Sequence, residues 1–140
     1  MSKISLSKLV KSRIFRAVLI LDKNKSPLAS GVFIEDITEA WYIITNKHVV
    51  KASSPIYISL NFSKGARFSK AEVVEEHPSL DLAAIVPRAK KFPETPLIKP
   101  IFREEFSPKK HIIEGESVFY IGFPLGLGAE YYNFPVVEMA

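Results

Sequence analysis

The chain has 140 residues, nearly half of them hydrophobic, a net charge of +4 and no cysteine. That length suits a single core-forming domain, at the usual ~100–200 residues per domain, and the missing cysteines exclude disulfides, zinc–thiolate sites and thiol nucleophiles together. The basic residues are scattered in ones and twos, "RAKK" at 88–91 and "PKK" at 108–110 being the densest groups, and without a basic face interleaved with aromatics they argue against nucleic acid as a partner.

The N-terminus, "MSKISLSKLVKSRIFRAVLILDKNK", has early lysines, but its apolar stretch at 17–21 runs straight into "DKNK". It is shorter than the ~7–15 apolar residues of a signal peptide. No export signal and no membrane span is read, which sets the expectation of a cytoplasmic protein without a membrane partner.

From there period-two alternation and β-branched or aromatic runs dominate, and no segment of helical length carries an i, i+3, i+4, i+7 stripe. The predicted strands are 15–21, 28–34, 41–45, 56–61, 70–75, 82–87 and 118–121, separated by turn clusters such as "DKNKSP", "SKGAR" and "EEHPS". The class is all-β, and short, evenly spaced strands suggest a closed or nearly closed barrel. Prolines at 87, 93, 96, 100 and 108 then change the character of the chain. Each removes a ladder donor and fixes φ, so 92–116 reads as an extended connector. A further strand follows near Ser117 and leads into "GFPLGLG", Gly-rich and backbone-shaping.

Few residues could carry chemistry. In "WYIITNKHVV", His48 follows a strand end, a setting in which most histidines are simply satisfied core or surface residues. In "HPSLDLAAIV", Asp81 enters an apolar strand, where a carboxylate is costly to bury without hydrogen-bond partners. Asp81 either caps the turn after Pro78 or accepts a proton-bearing imidazole nitrogen. No helix or hairpin rule makes positions 48 and 81 neighbours; only a fold can. His77 and His111 read as solvated turn residues, and no His/Asp/Glu grouping has metal-ligand spacing, so no metal or other cofactor is expected.

Taken together, "ASGVFIEDITEAWYIITNKHVV", "HPSLDLAAIV" and "EGESVFYIGFPLGLG" resemble three blocks of the trypsin-like serine peptidases, in particular the HtrA/Deg-type branch. The first resembles the strand and hairpin leading to T-N-x-H-V-V, the second the D-L-A strand of the triad aspartate, and the third the G-x-x-V-x-x-I-G-x-P-x-G-L-G stretch. They occur in family order and span about 29–128, which makes the set far more specific than any one block.

The resemblance implies a double β-barrel with its active site between the barrels. Residues 1–91 would form the first barrel, a closed six-stranded antiparallel one carrying His48 and Asp81; 92–116 would be the inter-barrel connector, and 117–140 the opening hairpin of an incomplete second barrel. His48 would be the general base and Asp81 the carboxylate that fixes its tautomer. Thr45 and Asn46 would aim the ring, and Lys47 would point to solvent.

The serine of such a triad sits in a G-x-S-G-G turn, and none occurs in these residues. Ser117 in "GES" is followed by Val118 and Phe119 rather than glycines, and Ser30 precedes the histidine, the wrong side for the family order. Barrel proteins of this sort run to ~200–250 residues, so a truncated peptidase, inactive as this chain alone, is expected, with a protein or peptide substrate once completed. The alternatives are a non-catalytic peptidase-like module that captures a protein partner by strand addition, and an obligate oligomer in which another chain completes the second barrel. Unpaired edges there, including the apolar "YYNFPVV" at 131–137, lead to an expectation of self-association.

Overall fold

The computed structural model describes residues 16–35, 38, 40–62, 65–88, 100–102, 105, 114–115, 119–123 and 136–139. Its strands are β1 (Ala17–Leu21), β2 (Pro27–Glu35), β3 (Trp41–Thr45), β4 (Tyr57–Phe62), β5 (Gly65–Glu76) and β6 (Ala83–Pro87), with β7 (Phe119–Gly122) and β8 (Val136–Met139) further on. A short helix, α1 (Lys47–Ala52), follows β3. The first six strands close into an antiparallel barrel in the order β1-β2-β3-β6-β5-β4, and β7 pairs with β8 in a separate two-stranded sheet. All-β architecture with a closed six-stranded barrel is therefore what the chain adopts.

Alternation along the strands places Val18, Ile20, Phe33, Ile43, Ile58, Leu60, Ala71, Ala83 and Ile85 in one buried cluster inside the barrel. Ile20, Ile43, Ile58 and Ile85 are each 0% exposed. Burying one such side chain stabilises the fold by roughly 1.5–3 kcal/mol. Gly31 on β2 is part of the same packing: a Cβ there would stand 2.7 Å from Ile43 Cγ2 and 3.2 Å from the Ile44 carbonyl oxygen, so only glycine lets β2 lie this close. On β1 the opposite face is buried too. Leu19 and Leu21 are covered by Phe123, with Ala17 and Tyr57 beside them. A strand buried on both faces reads as the unbroken apolar run "AVLIL" rather than an alternating one.

Two sequence expectations shift. The "SKGAR" cluster is not all turn: Gly65, Ala66 and Arg67 already pair with Phe62, Asn61 and Leu60, so β5 is twelve residues long. Gly65 takes φ +113°, a backbone conformation that favours glycine at the hairpin's exit. Residues 47–52, read from sequence without a helix, form α1, in which Val49 and Val50 plug into the barrel core. Six residues are too few to show a helical stripe, so the helix exists through tertiary packing.

Beyond β6, Ile101 bonds alongside β2: Glu35 N donates to the Ile101 carbonyl at 3.0 Å and Ile101 N to the Phe33 carbonyl at 2.9 Å. No helix among the described residues is long and apolar enough to cross a membrane. Ser117, His111 and residues 131–135 of the apolar segment lie outside the described residues.

Candidate active site

Strands β3 and β6 pair in register, with Thr45 opposite Ala83. The chain that leaves β3 and the chain that enters β6 therefore emerge side by side at one end of the barrel. This register brings residues 46–48 against residue 81, which sequence spacing could not.

Asp81 binds His48 twice. Its Oδ1 accepts the His48 backbone N–H at 2.8 Å, and its Oδ2 lies 2.5 Å from His48 Nδ1. An ionised carboxylate only accepts, so the ring donates from Nδ1, and in a neutral imidazole the Nε2 lone pair is left for another donor. The hydrogen bond from the His48 ring, followed by that from the His48 backbone N–H, holds the Asp81 carboxyl below its ordinary value of 3.8. The backbone contact also caps α1: Asn46 occupies the N-cap position without a side-chain cap bond, and the Asp81 carboxylate takes the amide that Asn46 leaves open. Helix start and imidazole tautomer are set by one side chain.

The surroundings fasten the two segments together. Asn46 Nδ2 donates to the Asp81 carbonyl at 3.1 Å, and Thr45 Oγ1 to the Ser30 carbonyl at 3.2 Å. Lys47, expected to point to solvent, instead donates from Nζ to the His77 carbonyl at 2.8 Å, reaching across to the β5–β6 turn. His48 and Asp81 remain open at the surface, their side chains 70% and 50% exposed. A cleft of about 330 Å³ opens beside the same turn, with Ile44, His77, Pro78 and Leu82 among its walls.

Two residues have parts that sequence reasoning missed. Ser30 uses its hydroxyl oxygen to accept the Phe123 N–H at 2.8 Å, which ties the chain beyond β7 to the barrel. His77 is exposed, as expected, yet its Nδ1 accepts two backbone amides of the turn that carries Asp81. The available signal was its place at the head of "HPSLD", where Asx turns put an aspartate or asparagine.

Comparison with known proteins agrees with this architecture. Residues 29–137 match the profile of the trypsin-like peptidase domain, and the chain belongs to that family. It is 31% identical over 97 residues to the serine protease Do-like HtrA of Lactobacillus helveticus, covering 69% of this chain and 21% of that protein. Among solved structures, the MamO protease domain of Magnetospirillum magneticum superposes with a TM-score of 0.63 at 22% identity, over 90% of this chain and 59% of that one. The serine endoprotease from Yersinia pestis gives 0.62 at 26% identity, over 99% of this chain and 44% of that one. The HtrA-type protease AlgW, solved with a decapeptide, gives 0.62 at 20% identity, over 97% and 44%. The chain thus spans 21% of the curated relative's length and 44–59% of these solved neighbours.

Proposed function

We propose that these residues supply the base and the orienting carboxylate of a serine endopeptidase. The observation that carries the reading is the doubly bonded Asp81–His48 pair, with Nδ1 engaged and Nε2 without a partner among the described residues, at the exposed end of a family barrel. In this arrangement a serine Oγ placed ~2.6–3.2 Å from His48 Nε2 loses its proton to the ring as it attacks a peptide carbonyl carbon. The imidazolium, stabilised by Asp81, then returns that proton to the leaving amine as the C–N bond breaks. Protein or peptide is the proposed substrate class, in keeping with the decapeptide that accompanies AlgW.

The proposed layout is a base-bearing barrel in 1–91, a connector in 92–116 and the first hairpin of the second barrel in 117–140. The serine and the backbone N–H groups of an oxyanion hole belong to a G-x-S-G-G turn, which these 140 residues do not contain. Activity is therefore proposed for a polypeptide, or a complex, in which such a turn accompanies them.

The test is hydrolysis of an unfolded protein such as casein. The 140-residue chain is expected to be inactive, and a form extended by a serine-bearing second half active. In that extended form Asp81→Asn should lower kcat by about 10⁴-fold, as loss of the orienting carboxylate does in such triads. Full activity of either Asp81→Asn or His48→Ala in the extended form would sink the assignment.

A further inference from the structure

We infer that His77 is a positioning residue for Asp81: as a neutral imidazole with its proton on Nε2, it folds the turn that delivers the carboxylate to His48. The inference rests on the proposed roles of His48 and Asp81 and names what holds that site in shape.

The geometry fixes the tautomer. His77 Nδ1 lies 2.9 Å from Leu80 N and 3.2 Å from Ser79 N, and both are backbone donors. A nitrogen that faces two N–H groups has to present its lone pair. His48, whose Nδ1 faces a carboxylate, is in the opposite state, so two imidazoles from different segments, one bonded to Asp81 and one in its turn, hold opposite tautomers. The backbone of His77 is engaged as well, its N–H donating to the Leu82 carbonyl at 2.8 Å and its carbonyl accepting Lys47 Nζ. The outer bonds anchor the two ends of the turn. The ring bonds fold its middle, immediately before Asp81.

Asn and Asp side chains fold turns by the same means, accepting amides a few residues ahead. Asp22 does so in the β1–β2 turn, where its Oδ1 accepts Asn24 N at 2.8 Å and Ser26 N at 3.0 Å. An aspartate at position 77 would add negative charge next in the chain to Glu76 and in the same turn as Asp81. Of the cations nearby, Lys51 pairs with Glu76 at 3.8 Å and Lys47 is held by the His77 carbonyl. A neutral imidazole folds the turn without opposing the Asp81 carboxylate. Protonation at Nδ1 turns the acceptor into a donor facing two donors, and the turn loses its fold.

The experiment is NMR on the isotope-labelled 140-residue chain. Ring ¹⁵N shifts should show His77 protonated on Nε2 and bare at Nδ1. His77→Ala should abolish the His48 Nδ1–H signal, move the Asp81 carboxyl titration upward toward its ordinary range, and lower amide protection at Ser79 and Leu80 by about tenfold, the size of one net hydrogen bond. His77→Asn should restore all three. A proton on His77 Nδ1 in the wild-type chain at neutral pH, or a folded His77→Ala variant with the His48 and Asp81 signals unchanged, overturns the inference. If His77→Ala does not fold, the wild-type tautomer and the His48 Nδ1–H signal of His77→Asn decide it. None of these signals depends on turnover, so an inactive extended form would count against the proposed function and leave the positioning role standing.

Discussion

Ile43 and His48 are five residues apart, yet they belong to regions held by different physics. Ile43 is 0% exposed, packed in the shared core and pressed by the close approach of Gly31. The His48 side chain is 70% exposed, and what orients its ring is the Asp81 carboxylate. The interior is over-determined by packing, so its geometry survives small losses at the surface. The rim is determined by a few directional bonds, and it inherits its coordinates from the interior through the Thr45–Ala83 register. Stability and proposed chemistry are thus separable in mutation, although not in folding.

That contrast can be broken most forcefully from the inside. Ile43→Ala should lower the unfolding free energy by about 2–5 kcal/mol in denaturant titrations, the range for cavities in packed cores. His48–Asp81 signals should then disappear together with the barrel's own and not ahead of them. Gly31→Ala tests the same region by overfilling, with an expected loss of about 1–3 kcal/mol, since the β-branched Cγ2 of Ile43 and the Ile44 carbonyl must both give way. Ser30→Ala removes the acceptor of the Phe123 amide; about 1 kcal/mol is expected, seen as faster hydrogen exchange at Phe123 and in β7 while the barrel strands stay protected.

At the rim the effects should be smaller and more selective. The folded-state pKa of Asp81 lies below 3.8. A group depressed on folding binds its proton more readily in the unfolded chain, so its stabilising contribution is complete above 3.8 and is lost as the pH falls from there through the folded value. Asp81→Asn should flatten that acid limb by lowering the neutral plateau, where the contribution is present, and leave the acid end nearly unchanged; the loss is small because the pair is exposed and screened. His48→Ala sharpens the comparison furthest, with a change in stability at neutral pH of within about 0.5 kcal/mol and total loss of activity in any serine-bearing form.

The strands were the more legible part of the sequence. Their alternation is a direct print of inside and outside, and 41–45 coincides with β3 residue for residue. Less legible was anything decided by distant packing. Gly65 belongs to a strand because Phe62 pairs with it, and "KHVVKA" is helical because Val49 and Val50 reach the core. His48 and Asp81 could be nominated from local motifs, but their adjacency needed either the family resemblance or the β3–β6 register. Lys47 and His77 show the remaining gap. A cation after a strand and a histidine before a proline look solvated in one dimension, and only the folded turn reveals that the first grips the carbonyl of the second.

The pairing of Thr45 with Ala83 also has a meaning in time. It closes a long loop of chain, and contacts of such sequence separation form late because chain entropy is lost before they reward it. An imidazole oriented by Asp81 therefore exists only in molecules in which β3 and β6 have paired. Nascent, misfolded or partly opened copies carry the same histidine without its direction. The hydrogen bond between them is a built-in certificate of that pairing, issued by the same event that would arm the site.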